Sequence, residues 1–149
     1  MAQRFDVSKV SPDGYKAFGP LYQYIASSGL EKTLIDLVFL RVSQINGCAY
    51  CVDLHWRDLL KEGEDPRKIN SLVTWHESPF FSERERAALA WTESLTNVSA
   101  THVPDADYDV VKARFSEKEI GDLTLVISLM NAMNRVGISS RLAPPLHVA

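Results

Sequence analysis

Long apolar segments are missing from this chain of 149 residues, which argues against a membrane-spanning helix. A secretory signal is missing as well, because Arg4, Asp6 and Lys9 stand where such a signal needs an apolar stretch. We therefore expect a cytoplasmic protein that has no membrane partner.

Clusters of positive charge are also lacking. Lys and Arg form no run or stripe, and the formal net charge is -3. A surface that neutralises nucleic-acid phosphates needs such clusters, so we expect no nucleic-acid partner. Seven Gly and seven Pro are scattered along the chain, and 46% of the residues are hydrophobic. This composition and length predict one globular domain over residues 1–149.

Strand-like alternation of apolar and polar residues is absent, whereas several segments have helical spacing between recognisable caps. The chain is therefore predicted to be an all-α single domain. The predicted helices cover about 12–28, 31–45 and 48–62, then start at Pro66, Glu83, Asp105 and Glu117, the last one ending at Gly137.

Two helix starts have the form of a capping box, namely Ser82 with Glu85 and Ser116 with Glu119. The helix over 31–45 is apolar on more than one face, which fits either a buried central helix or one side of a subunit interface. Because one inner face of a small helical domain needs less apolar surface, we predict a homo-oligomer.

Only two cysteines are present, Cys48 and Cys51. A reducing cytoplasm disfavours a permanent structural disulfide, so the pair needs another explanation. If a helix starts at Cys48, then Cys48, Cys51 and His55 share one stripe with Val52 and Leu59. Charged residues occupy the opposite face, so this stripe is predicted to point inward.

Three features of this stripe lower the pKa of a thiol. They are the free amides at the helix start, the second thiol, and the nearby imidazole of His55. A thiolate is the form that attacks a peroxide or a disulfide. Spacing alone does not decide which of Cys48 and Cys51 attacks first, because Cys48 is nearer the helix terminus and Cys51 is nearer His55.

Two other interpretations of the cysteines are open. They could be inert buried residues, with His55 an ordinary core histidine. They could also bind zinc together with His55, but a structural zinc site needs a fourth ligand. The remaining histidines, His76, His102 and His147, offer no paired spacing. We favour thiol redox chemistry and expect no metal and no cofactor.

Polar residues interrupt two apolar helices. Asp36 is either paired with a cation such as Arg41 or held near the reactive stripe, and Glu93 is a weaker case of the same kind. Asn131 and Asn134 in the last helix are expected to make buried hydrogen bonds rather than to do chemistry.

The segment 40–55 resembles the core of the alkyl hydroperoxidase D-like (AhpD-like) branch of the carboxymuconolactone decarboxylase family. The resemblance continues through 85–93 and 131–135 and covers most of the chain after Glu31. It implies an all-helical fold that assembles as trimers or hexamers. The decarboxylase branch lacks the cysteine pair, so lactone decarboxylation is not expected.

The resemblance also implies a peroxidase cycle through a cysteine sulfenic acid. By analogy Cys51 is the sulfur that peroxide oxidises, Cys48 is the proton donor and resolving partner, and His55 belongs to a proton relay. Asp36 stands where the family relay has a glutamate, a side chain longer by one methylene. With no flavin or nicotinamide site evident, electrons are expected from an external dithiol or protein reductant.

Two further functions fit the same residues. The protein could be a thiol-disulfide oxidoreductase that reacts poorly with peroxide. It could also be a redox-sensing oligomeric scaffold whose assembly changes when the disulfide forms. Comparing the turnover of a peroxide with that of a disulfide substrate separates the oxidoreductase from a peroxidase. Measuring the oligomer mass in each oxidation state tests the redox sensor.

Overall fold

The computed structural model describes residues 2–146, so His147 lies outside the described residues. Within that range the chain is helical and has no strand, which confirms the predicted all-α class. None of these helices is both long enough and apolar enough to cross a membrane. The α-helices are α1 (Val7–Val10), α2 (Pro12–Lys16), α3 (Phe18–Ala26), α4 (Lys32–Asn46), α5 (Ala49–Lys61), α6 (Pro66–Asn70), α7 (Glu83–Thr96), α8 (Val98–Thr101), α9 (Asp105–Lys112) and α10 (Glu117–Ser140), with a 3-10 turn at Ser71–Thr74.

Helix α4 is the centre of the fold and packs against α5, α7 and α10. Every residue from Leu34 to Leu40 is buried, as are Val42 and Ser43. Its apolar faces are therefore covered within a single chain. The inference that α4 forms one side of a subunit interface is thus wrong. The predicted homo-oligomer is now supported only by the resemblance to the family.

Both predicted capping boxes are confirmed. The Glu85 amide donates to Ser82 Oγ over 3.2 Å, and the Ser82 amide donates to Glu85 Oε2 over 2.8 Å. Ser116 and Glu119 make the same reciprocal pair at the start of α10. These bonds satisfy amides that have no partner within the helix, so they fix where α7 and α10 begin.

The predicted helix over 12–28 is wrong in detail, because the structure divides this stretch into α2 and α3. Gly14 and Gly19 lower helix propensity on either side of the break. A further short helix, α1, precedes them, and Asp6 caps it by accepting the Ser8 amide over 3.0 Å.

The predicted end of the last helix at Gly137 is also wrong. Helix α10 continues to Ser140 and ends at Arg141, whose φ of 57° closes the helix in the left-handed conformation. A β-carbon built on Gly137 would lie 3.1 Å from Cys48 Sγ and 3.8 Å from Cys51 Sγ. Gly137 therefore permits close packing of α10 on the cysteine pair and does not end the helix.

The N-terminal segment, residues 2–10, is held against the end of α10. The Arg4 amide donates to the carbonyl of Ser140 over 2.9 Å, and Arg4 Nη1 donates to the carbonyl of Ser139 over 3.3 Å. This attachment places the N-terminal segment beside the site described next.

Candidate functional site

The cysteine pair lies at the junction of α4 and α5. Helix α4 ends at Gly47, whose φ of 75° turns the chain in a conformation that favours glycine. The structure starts α5 at Ala49, one residue later than predicted, and makes Cys48 its N-cap. Cys48 and Cys51 therefore occupy the N-cap and N3 positions, whose side chains and backbone amides are paired reciprocally in a capping box. Here a disulfide joins them, with their Cα atoms 5.4 Å apart.

The predicted stripe on α5 does point inward. Cys48, Cys51 and His55 are only 2%, 6% and 5% exposed, and Leu59 is fully buried. The structure thus brings both sulfurs and the imidazole to one buried face of the helix, as their spacing predicts.

His55 is held in an apolar environment. Its ring centroid lies 5.0 Å from that of Phe39, and its Nδ1 atom is buried without a hydrogen-bond partner among residues 2–146. Burial lowers the pKa of His55 to about 4, although the carboxylate of Asp58, 3.6 Å from Nδ1, acts in the opposite direction. The imidazole is therefore neutral near pH 7.

Asp36 lies beside this histidine. Ligand atoms of Asp36, His55 and Asp58 are all within 4.8 Å of one another. Lys32 Nζ contacts Asp36 Oδ2 at 2.9 Å, so the partner of Asp36 is Lys32 and not Arg41. Burial raises the pKa of Asp36, and the Lys32 ammonium partly offsets this rise.

Asp58 is a residue that the sequence patterns did not single out. It stands three residues after His55 on the same helix, and this spacing is the signal that could have identified it. The carboxylates of Asp36 and Asp58 both lie near His55, and Asp58 partly offsets the effect of burial on the pKa of His55.

A zinc site built on Cys48, Cys51 and His55 needs two thiolates, whereas the two sulfurs are bonded to each other in this structure. The cluster of Asp36, His55 and Asp58 already has a cation, because the Lys32 ammonium pairs with Asp36. The expected absence of a metal stays a prediction.

Arg41 instead pairs with Glu93. Arg41 Nη2 and Trp75 Nε1 each donate to Glu93 Oε1 over 2.7 Å. Although burial alone would raise the pKa of Glu93, these bonds hold it below its ordinary value. Glu93 is therefore a fully bonded carboxylate that links α4 to α7.

The predicted hydrogen bonds of the asparagines are confirmed. Asn46 Nδ2 donates to the side-chain oxygens of Asn131 and Asn134, each over 3.0 Å. Asn134 Nδ2 donates to Ser43 Oγ, also over 3.0 Å. These bonds fix the last turn of α4 on α10 immediately before the cysteine pair.

A cavity of about 260 Å³, which we call the Cys51-side cavity, borders Cys51 and His55. The N-terminal segment forms one part of its wall through Gln3, Asp6, Val7 and Ser8. Its other lining residues are Tyr15, Tyr22, Tyr50, Leu54, Met130, Met133, Val136, Gly137, Ser140 and Leu142. Most of these residues are distant in sequence from the motif, and no local pattern marks them.

The rings of Tyr15, Tyr22 and Tyr50 supply phenol groups to this cavity. Burial, with small contributions from the two neighbouring tyrosines, raises the pKa of Tyr22 to about 12. Tyr22 therefore stays protonated and can donate a hydrogen bond. The walls combine apolar side chains with hydroxyl groups, which suits a small, partly apolar molecule with oxygen atoms.

Known proteins resemble the chain over most of its length. The model of the carboxymuconolactone decarboxylase family matches residues 12–94. The uncharacterized protein YdfG of Bacillus subtilis is 37% identical over 139 residues, covering 93% of this chain and 95% of YdfG. A crystal structure from Agrobacterium tumefaciens, of a protein of unknown function described as a candidate antioxidant defence protein AhpD, superimposes with a TM-score of 0.95. It is 38% identical, and the match covers 98% of this chain and 100% of that one.

A shorter match links the chain to a protein with a named activity. Alkyl hydroperoxide reductase AhpD of Coxiella burnetii is 39% identical over 49 residues, which is 33% of this chain and 28% of that protein. This stretch is under a third of the reductase, so the reductase's activity is not transferred to the chain by the match alone.

Proposed function

Because the chain belongs to the AhpD-like branch of the carboxymuconolactone decarboxylase family, we propose that it is a thiol peroxidase acting through Cys48 and Cys51. The observation that carries the proposal is the Cys51-side cavity, where Cys51 and a neutral His55 line one wall. A peroxide that enters this cavity meets a sulfur, a proton acceptor and hydroxyl groups together.

The oxidative half of the cycle starts from the dithiol. Cys51 gives its proton to His55, and the Asp58 carboxylate partly offsets the cost of the buried imidazolium. The Cys51 thiolate attacks the terminal oxygen of the hydroperoxide, the O–O bond breaks, and the departing alkoxide takes the proton from the His55 imidazolium and leaves as the alcohol. Cys51 becomes a sulfenic acid. The Cys48 thiol condenses with it, forming the disulfide and releasing water.

The reductive half needs two electrons from outside the site. An external dithiol or a protein reductant restores both thiols and is itself oxidised to a disulfide. Asp36 would act as a positioning residue in both half-reactions, because it acts on the proton only through His55. Its own charge is paired with the Lys32 ammonium.

The assignment of Cys51 as the attacking sulfur has a direct test. Cys48→Ser removes the resolving thiol, so one equivalent of peroxide should leave a sulfenic acid at Cys51 that a sulfenic-acid-specific label detects. Cys51→Ser should trap little label and abolish turnover. Label that lies mainly on Cys48 in the Cys51→Ser protein, and none on Cys51 in its counterpart, would reverse the assignment.

The activity itself is tested by measuring peroxide consumption with a panel of dithiol reductants. A disulfide substrate, offered under the same conditions, is the comparison. Faster turnover of the disulfide than of any peroxide would replace the peroxidase by a thiol-disulfide oxidoreductase.

We also propose, from the family, that the protein works in the cytoplasm as a homo-oligomer, a trimer or a hexamer. Light scattering at micromolar concentration should report that mass in both oxidation states. A monomer would contradict the assembly, and a mass that changes on oxidation would support a redox sensor instead.

A further inference from the structure

A second cavity, of about 220 Å³, borders Cys48. We call it the Cys48-side cavity. Cys51 and His55 do not line it, just as Cys48 does not line the Cys51-side cavity. Its lining residues are Gly47, Cys48, Ala49, Gly137, Ile138, Arg141, Leu142, Ala143 and Pro144.

Helix α10 divides the two cavities. Gly137 and Leu142 line both, whereas Val136 lines only the Cys51-side cavity and Ile138 only the Cys48-side cavity. A side chain at position 137 would approach Cys48 Sγ to 3.1 Å. Because Gly137 has no side chain, α10 packs closely on Cys48 and lines both cavities at this residue.

We propose that the reducing dithiol enters through the Cys48-side cavity and attacks Cys48, while the peroxide reaches Cys51 through the Cys51-side cavity. This inference rests on the proposed peroxidase function and adds a binding site for the reductant. The occupant is a small aliphatic dithiol, because the walls are mainly apolar and the volume suits a molecule of that size.

The chemistry balances with the dithiol as the only reductant. Its thiolate attacks Cys48 Sγ, a mixed disulfide forms, and Cys51 leaves as a thiolate that takes up a proton. The second thiol of the reductant then attacks the mixed disulfide and releases Cys48 as a thiolate, which is protonated in turn. Two electrons pass to the protein, and the reductant becomes an internal disulfide.

The geometry favours this direction of attack. Cys48 borders this cavity and Cys51 does not, so a thiolate that binds here meets Cys48 Sγ, and Cys51 is the sulfur that leaves. Arg141 lines the Cys48-side cavity, and the positive charge of its guanidinium attracts an incoming thiolate.

The test measures the two half-reactions separately. Reduced protein is mixed with a hydroperoxide and the loss of thiols is followed, and oxidised protein is mixed with dithiothreitol and their return is followed. Ile138→Trp fills the Cys48-side cavity, and Val136→Trp, two residues away on the same helix, is the matched control for the other cavity.

Ile138→Trp should slow the dithiothreitol reaction at least about tenfold and leave the peroxide reaction within about twofold, since displacing reacting atoms by about 1 Å costs up to about a hundredfold. Val136→Trp should do the reverse. An unchanged dithiothreitol reaction in Ile138→Trp, or equal slowing of both half-reactions, would overturn the proposal.

A third variant guards against misfolding of the tryptophan proteins. Arg141 is exposed, so Arg141→Glu should fold and should slow the dithiothreitol reaction several-fold, more at low salt than at high salt. No slowing at low salt would contradict the role of Arg141. If the unmodified protein fails to react with peroxide, the peroxidase function falls, yet the dithiothreitol comparison still reports the route of the reductant.

Discussion

Replacing Gly137 by alanine tests the closest packing contact of the site. In an open helix interior, Gly→Ala raises the free energy of unfolding by about 1 kcal/mol, because alanine has the higher helix propensity. Position 137 is not open, since the new methyl would lie 3.1 Å from Cys48 Sγ. Overpacking of this kind costs about 1–3 kcal/mol. The expected net result is a loss of up to about 2 kcal/mol.

The same helix offers the matched control. Gly121 is exposed, and a β-carbon there meets nothing within 4 Å, so Gly121→Ala should gain the full helix-propensity term of about 1 kcal/mol. The two variants should therefore differ by about 1–3 kcal/mol, the overpacking cost alone. In a domain of this size each kcal/mol shifts the Tm by about 2–4 °C.

Thermal and urea unfolding of both variants under non-reducing conditions measure this difference. Equal m-values in urea would show that the two variants expose the same surface on unfolding. If Gly137→Ala proves as stable as Gly121→Ala, then α10 does not approach the sulfurs as the structure describes, and the division of the site into two cavities loses its basis.

Four further predictions follow from the site. His55→Ala should reduce thiolate formation and peroxide turnover about a hundredfold with the fold intact, as stopped-flow thiol alkylation and circular dichroism would show, and unchanged thiol reactivity would remove His55 from the mechanism. Asp36→Asn should lower turnover in the same direction but by less, and a loss larger than that of His55→Ala would contradict its positioning role. Because the pKa of His55 falls from 6.5 unfolded to about 4 folded, the unfolded chain binds the extra proton, so the free energy of unfolding should fall by about 3 kcal/mol as pH drops from 6.5 to 4. His55→Gln should remove that part of the pH dependence, and identical urea-unfolding profiles for the two proteins would refute it. Elemental analysis should find no stoichiometric zinc, and about one zinc per chain with both thiols blocked would favour a metal site.

Features that depend on neighbouring residues could be predicted from the sequence. The capping boxes at Ser82 and Ser116 formed as expected, because each needs only a residue three positions away. The inward stripe of Cys48, Cys51 and His55 formed for the same reason, since helical periodicity alone sets it.

Features that depend on tertiary packing could not be predicted. In the sequence, Gly137 has the character of a residue that ends a helix. In the fold, a glycine is present there because the Cys48 sulfur leaves little room for a side chain. Lys32 and Arg41 are both cations of α4 near Asp36. In the fold, Arg41 pairs with Glu93 and Lys32 pairs with Asp36. The Cys51-side cavity is lined by both the N-terminal segment and α10. These two parts of the chain are too far apart in sequence for a periodic pattern to relate them.

The position of residues 3–8 and residues 143–144 beside this site matters for anyone who handles the protein. The N-terminal segment forms part of the wall of the Cys51-side cavity, and Ala143 and Pro144 form part of the wall of the Cys48-side cavity. A purification tag is usually placed at a terminus because termini are remote from function. Here residues 3–8 and residues 143–144 border the two cavities through which we propose that peroxide and reductant enter, so a tag joined close to either segment would obstruct one of them. Enzyme for kinetic work should therefore be freed of any tag, and a rate that depends on tag position would report which entrance is obstructed.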